Sequence, residues 1–414
     1  MNTLQVVRRF VFSQWGGTET VVWNTSKQLN KMGHQAEILA TEALQNKANE
    51  VEADIPIKRF TYFYPYLNMN AQKKLALDRK GGDPYSHQLY SYLLHKKDVD
   101  IIHCHSMNRM AAMVRRAARK RNIPYLVSFH GGYFDVPKQE LEQMVLPYKN
   151  TFNYGKFFDI LCRKKRYLED ADAIICVGYN EYELSKQKYP QKLVYYLPNG
   201  VDYQKFSKKA ESSFKEKYKI PANRKTILCL SRIDYQKNQE ILLKLLTKIN
   251  KTEANAHLVL IGPVTSSRYY QKLQKIIEVN KLENTITIIK GLHFEDPDLI
   301  SAYQQADMFI LPSIHEPFGI VVLEAWASGI PVIASQVGGL ARLVQHRQNG
   351  LFFDGSLEDL YKKYKELVEN NKLRDKLVKN ALQEVRTKYS WQAITKQLIG
   401  YYQEIIAKYR SKKL

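Results

Sequence analysis

The stretch TILCLSRIDYQKNQEILLKLLTKINKTEANAHLVLIGP, residues 226–263, decides the fold class. TILCLSR is an apolar run of strand length. QEILLKLLTKIN repeats its apolar residues at helical spacing, and HLVLIGP is apolar again. The same alternation continues through TITIIKG, ADMFILPS, PVIAS and GLFFD. It also fills the first half of the chain: LQVVRRFVF, a helix in TETVVWNTSKQLNKMG capped by Gly33, then QAEILAT, VDIIHCHS, PYLVSFHGG, DAIICVG and KLVYYLPNG. Strands separated this often by helices predict parallel sheets covered by helices.

The alternation restarts after the turn Pro198-Asn199-Gly200. An α/β chain of two Rossmann-like, doubly wound halves follows: residues 1–200, residues 201–394, and a detached amphipathic helix at 395–414 that crosses back to the first half. Each half opens on a strand, a turn and a helix; the turns are FSQWGGTE and SRIDYQKN. Ligands of such sheets bind at the carboxyl ends of strands, so two halves facing across a cleft place the expected site in that cleft.

Composition narrows the setting. The chain has 414 residues, 44% hydrophobic and 25% charged, which is ordinary for a globular protein. No run of 18 uncharged apolar residues exists, and the N-terminus lacks the apolar core of a signal peptide. A soluble, cytoplasmic chain is expected, one that can work at the inner face of the cell membrane. Cys104, Cys162, Cys176 and Cys229 form no C-x-x-C pair and read as buried reduced thiols. The net charge of +22 is spread over both halves: 29 basic against 19 acidic residues lie in 1–200. Such a field attracts nucleic acid, anionic lipid or phosphorylated small molecules, and composition does not choose among them.

HEPFGIVVLEAWASGIPVIAS, residues 315–335, carries the chemistry. Glu316 and Glu324 are seven residues apart. Pro317 and Gly319 mark a turn, and residues 320–328 read as a helix. Its N-terminus offers the amides of Phe318, Gly319 and Ile320 to an anion or an oxygen-rich group. Two carboxylates there can accept hydrogen bonds from a vicinal diol. In the alternative reading Glu316 caps the helix and Glu324 is a solvated helix residue.

This segment resembles the Glu-x7-Glu signature of the retaining GT-B glycosyltransferases of family 4. The likeness extends to Val337-Gly338-Gly339-Leu340 and Asn349-Gly350-Leu351-Phe352. Gly16-Gly17, the strand end with His103 and His105, VSFHGG, PNGVD and SRIDYQKN follow the family's order along nearly the whole chain. The resemblance implies a GT-B fold and a retaining transferase that uses a nucleotide-sugar donor (a UDP- or GDP-sugar). A glycan or lipid-linked acceptor is implied, as in bacterial surface polysaccharide or lipopolysaccharide synthesis. It assigns Glu324 to the donor ribose and Glu316 to hydroxyls of the transferred sugar. Pro317, Phe318, Gly319 and Ile320 would line the donor site, with the last three amides on the sugar or diphosphate. Arg232 and Lys237 would neutralise the leaving diphosphate. His130 would reach the reacting sugar, and Gly16 and Gly17 would let backbone approach donor phosphate or acceptor. Fixed cations at a departing diphosphate stabilise the transition state more than the ground state. Against these roles stand surface solvation for Arg232 and Lys237, and a plain positive-φ turn for Gly16-Gly17.

Other features are weaker. His103 and His105 share one side of a strand with no evident third metal ligand; His103 reads as packing and His105 as a candidate site residue. The pairs Asp98–Asp100, Asp170–Asp172 and Asp296–Asp298 read as structural, so no metal and no other cofactor is expected. The helix in residues 108–122 carries Arg115, Arg116, Arg119 and Lys120. Together with RKKR at 163–166 and FTYFYPYLN at 60–68 it suits peripheral contact with an anionic membrane. The competing reading is a solvated basic face. Alternative functions are another GT-B enzyme, such as a sugar-nucleotide epimerase, a phosphorylase or a sucrose- or glycogen-type synthase. Charge alone suggests nucleic-acid binding, and no motif supports it.

Overall fold

The computed structural model describes residues 1–12, 16–45, 49–79, 81–131, 148–149, 151–210, 213–252, 256–292 and 296–412. Residues 13–15 of the first turn, Lys80 and Gly132 lie outside them. Contacts divide the chain into two units, Met1–Pro198 with Ile394–Leu414, and Asn199–Ala393. The division falls in the Pro198-Asn199-Gly200 turn.

Among the described residues, the first unit holds eight strands: β1 (Asn2–Arg9), β2 (Gln35–Thr41), β3 (Asn49–Glu52), β4 (Ile55–Phe60), β5 (Ile101–Cys104), β6 (Tyr125–Phe129), β7 (Ala173–Cys176) and β8 (Leu193–Tyr196). They lie in the order β3-β4-β2-β1-β5-β6-β7-β8. Every neighbouring pair is parallel except β3 with β4. The chain winds outward from β1 through β2, then returns to the other side of β1 as β5. The winding therefore reverses between β1 and β5, where doubly wound sheets take their ligands. Gly33 ends the helix Gly17–Lys31 with a φ of 81°, a conformation that favours glycine.

The second unit holds β9 (Lys225–Leu230), β10 (Ala256–Ile261), β11 (Ile286–Ile289), β12 (Met308–Leu311), β13 (Val332–Ser335) and β14 (Leu351–Phe353). Their order is β11-β10-β9-β12-β13-β14, all parallel. Here the winding reverses between β9 and β12. All six residues of β10 are buried, because helices cover both faces of the sheet. The helix Trp391–Ser411 belongs, from Ile394 on, to the first unit, where Tyr401 stacks on Tyr195 at 4.0 Å between ring centroids. All four cysteines are buried and free.

Candidate functional site

In the second unit, the loops that leave β9 and β12 stand side by side at the winding reversal. Asp234 accepts a hydrogen bond from the Gln236 amide at 3.0 Å and opens a single 3-10 turn, Tyr235–Lys237. Asn238 then takes a left-handed φ of 52° before the helix Gln239–Thr252. This tight path buries the Lys237 side chain. The Lys237 ammonium donates to Glu316 Oε2 at 2.6 Å, and the Ile314 amide donates to the Gln236 carbonyl at 2.7 Å. Two hydrogen bonds thus tie the loops together at the carboxyl end of the sheet.

Glycines hold the other side of the Glu316 backbone. The Gly339 amide donates to the Glu316 carbonyl at 2.8 Å. A Cβ on Gly338 would stand 2.2 Å from that same carbonyl oxygen, and one on Gly339 would stand 2.3 Å from the Pro317 oxygen. No other residue type lets these segments approach so closely. Gly319 has a φ of 94° and is the N-cap of the helix Ile320–Ala327, with no side-chain cap. The alternative in which Glu316 caps this helix is not what forms: Gly319 takes the cap position and Glu316 pairs with Lys237. The helix thus keeps the attraction of its N-terminal amides for negative charge.

Glu324 sits one turn inside that helix, half-buried. Its Oε2 accepts from the Tyr303 hydroxyl at 2.7 Å. Burial pushes its pKa up to about 7, although the Tyr303 hydrogen bond and the Lys205 charge pull it down. Arg232 is exposed. Its guanidinium lies 3.6 Å from Asp234 and reaches Gln236 Oε1 at 3.4 Å. Arg232, Lys237, Glu316, Pro317, Phe318, Gly319, Ile320 and Glu324 all belong to this one unit.

The first unit holds Gly16, Gly17 and His130. Gly16 is the extended N-cap of the helix Gly17–Lys31, with a φ of −133°, so the positive-φ explanation for this pair does not apply. A Cβ on Gly16 would meet Glu19 Oε2 at 2.7 Å, and one on Gly17 would meet nothing within 4 Å. His130, at the end of β6, joins a polar chain. His130 Nε2 is 2.9 Å from His105 Nδ1, and His105 Nε2 is 2.9 Å from Gln5 Oε1. His103 bridges the Tyr402 hydroxyl at 2.7 Å and Ser128 Oγ at 2.6 Å. Burial lowers His130 to about 4 and sets His103 and His105 well below the ordinary histidine value. Sequence reading missed Tyr303, Gln5 and Tyr402. Gln5 carries the only available signal, as the one polar residue in the run LQVV.

Each Asp-x-Asp pair has structural partners. Asp100 accepts from the Asn2 amide at 2.9 Å, Asp172 from the Tyr125 amide at 3.0 Å, and Asp296 from the Asp298 amide at 2.9 Å. Asp98 takes a left-handed φ of 56° in a turn. Asp170 pairs with Arg115 and Asp298 with Lys217. Among the described residues, no cluster of three His, Cys, Asp or Glu side chains is placed to hold a metal ion. The basic helix Asn108–Arg121 is less available than its sequence suggests. Arg109 and Arg115 are buried, Arg109 against Asp159 at 2.8 Å and Arg115 against Asp170. Arg116 donates to the Tyr90 hydroxyl at 3.1 Å and the Leu161 carbonyl at 2.9 Å.

Each of the two units is a doubly wound α/β sheet, and the second carries a cationic and acidic loop pair at its winding reversal. Comparison with known proteins gives the family. Residues 210–384 match the glycosyl transferases group 1, and residues 15–205 match glycosyltransferase family 4. The chain belongs to this family of GT-B glycosyltransferases. An uncharacterized glycosyltransferase of Methanocaldococcus jannaschii is 27% identical over 317 residues, 73% of this chain and 75% of that one. The N-acetyl-alpha-D-glucosaminyl L-malate synthase of Bacillus anthracis is 22% identical over 94% of both chains. The Anabaena protein HepE, crystallised with UDP and glucose, superposes with a TM-score of 0.68 at 18% identity, over 98% of this chain and 100% of that one.

Proposed function

We propose that this glycosyltransferase moves a sugar from a UDP- or GDP-sugar to a glycan or lipid-linked acceptor, with retention of configuration and without a metal. The observation that carries the reading is the Lys237–Glu316 pair beside the uncapped helix N-terminus at Gly319, with Glu324 one turn further on. Lys237 and the exposed Arg232 meet the diphosphate. The amides of Phe318, Gly319 and Ile320 hold its oxygens or the sugar's. Glu316 takes the sugar hydroxyls and Glu324 the ribose. The bond from the sugar's anomeric carbon to the phosphate oxygen breaks. The acceptor oxygen bonds to that carbon on the same face, and the acceptor proton passes to the departing phosphate oxygen. His130, neutral at pH 7, is the substrate-contacting residue of the first unit. UDP and glucose in the Anabaena protein, and the glucosaminyl transfer named for the Bacillus relative, support a hexosyl donor. A panel of UDP- and GDP-sugars, assayed for nucleotide release in EDTA, tests the reading. One donor should turn over in chelator; activity only after manganese or magnesium is restored would overturn metal independence.

The enzyme works at an anionic membrane surface, as synthesis of bacterial surface glycans would require. Support comes from a patch beside the helix Gly155–Leu161. Phe152 and Phe157 are each 68% exposed and Ile160 78%, with Lys156, Arg163 and Lys165 exposed next to them. Apolar anchors rimmed by cations suit the headgroup region of anionic lipid. Phe157→Ser with Ile160→Ser, read by co-sedimentation with phosphatidylglycerol vesicles, should lose about 10-fold or more in binding, since each buried apolar side chain contributes about 1.5–3 kcal/mol. Equal binding by parent and variant would remove the patch from the account.

A further inference from the structure

The polar chain behind His130 has a direction, and the direction fixes a proton. Thr3 Oγ1 donates to the Gln35 carbonyl at 3.2 Å, so it accepts from Gln5 Nε2 at 3.0 Å. Gln5 Nε2 also reaches the Tyr402 hydroxyl at 3.3 Å. The Gln5 amide nitrogen is thus anchored on two oxygens, which turns its carbonyl oxygen toward His105. An amide oxygen only accepts, so His105 Nε2 carries the hydrogen. His105 is buried and neutral, and its Nδ1 is therefore a lone pair. His130 Nε2, 2.9 Å away, must then donate to it. A neutral His130 with its proton on Nε2 has its lone pair on Nδ1.

The geometry points to Gln5 and His105 as positioning residues for His130, holding its ring and its Nε2-protonated tautomer so that Nδ1 is the atom offered to substrate. This rests on the reading of His130 as a substrate-contacting residue. The atom offered is an acceptor. It takes a hydrogen bond from a substrate hydroxyl, and it carries no positive charge of its own. Gln5 lies on β1 and His105 just past β5, on the two strands between which the winding reverses. The wiring therefore starts from the middle of the first unit's sheet. Tyr402 brings the C-terminal helix into the same chain: it accepts from Gln5 and donates to His103 Nδ1.

The test uses the full chain labelled with ¹⁵N-histidine. His130 should show a protonated-type shift at Nε2 and a lone-pair-type shift at Nδ1 at pH 7; the reverse assignment overturns the proposed tautomer. Kinetics supply the second readout. His105→Leu removes the acceptor, and kcat should fall about 10- to 100-fold, the scale for a misplaced reacting group, with donor KM little changed. His105→Asn keeps an acceptor oxygen near the Nδ1 position and should recover most of kcat. Adding His130→Ala to His105→Leu should cost little more than His130→Ala alone. If His130→Ala lowers kcat and folded His105→Leu does not, the positioning role is wrong while the site reading stands. If His130→Ala itself has wild-type kinetics, the site reading of His130 fails first. If His105→Leu does not fold, the tautomer of the natural chain and the kinetics of His105→Asn decide.

Discussion

Lys237→Ala lowers kcat about 10²- to 10³-fold, the scale for removing one preorganised charge stabiliser, and leaves the chain folded. In the free protein the ammonium is buried and paired with Glu316 at 2.6 Å. When a diphosphate departs, negative charge grows on its oxygens. A cation already fixed and shielded from water stabilises that charge without further reorganisation. Removing it leaves Glu316 without its partner, at a cost of about 1–3 kcal/mol. A domain of ordinary stability, about 5–15 kcal/mol, tolerates that loss. Arg232→Ala should cost less, because Arg232 is exposed and its nearest carboxylate, on Asp234, is 3.6 Å away. Steady-state kinetics at saturating donor, with a thermal melt to verify folding, measure both. Unchanged kcat in folded Lys237→Ala would take Lys237 out of the chemistry.

Glu324→Ala acts on binding and not on turnover. Ribose contacts barely change between ground and transition states, so their loss raises KM and spares kcat. A hydrogen bond to a charged group contributes about 1.5–3 kcal/mol, which predicts a rise in donor KM of about 10- to 100-fold. Glu316→Ala should show the opposite balance, with kcat falling more, because the proposed function pairs it with the sugar that becomes cationic. Inverted results would exchange the two roles. Glu324 also gives a pH signature. Its carboxyl is raised to about 7, so the accepting carboxylate form is lost as pH falls through 7. Donor KM in the parent should rise from pH 8 to pH 6, and Glu324→Gln should flatten the profile. Stability runs the other way. A carboxyl raised in the folded state stabilises fully below its unfolded value, about 4.3, and that contribution is lost as pH rises through 7. Between pH 5 and pH 8 the melting temperature of Glu324→Gln should therefore fall less than that of the parent.

Most of the sheet framework is legible in the sequence because parallel strands buried on both faces are written as unbroken apolar runs, as in HLVLIGP. The hairpin of β3 and β4 is not. Its turn is Ala53-Asp54, with φ values of 47° and 61°, where glycine or asparagine would have signalled the same two positive-φ positions. The residues proposed for the donor site are legible as a motif, since one loop and the start of one helix contain most of them. Their partners are not legible. Tyr303 reaches Glu324 from 21 residues away, and Tyr402 reaches His103 from 299 residues away. No local pattern encodes such pairings. The basic helix Asn108–Arg121 misleads for a related reason: Asp159 and Asp170, which neutralise Arg109 and Arg115, lie 50 and 55 residues further along the chain.

Calorimetric titration of UDP and GDP into the parent chain and into Glu324→Ala at pH 8 bears most directly on the donor site. One of the two nucleotides should saturate the parent at a single site, and Glu324→Ala should bind it about 10- to 100-fold more weakly, as loss of a charged hydrogen bond requires. Absence of saturable binding of both nucleotides to the folded parent, or equal affinity in parent and variant, would contradict the account.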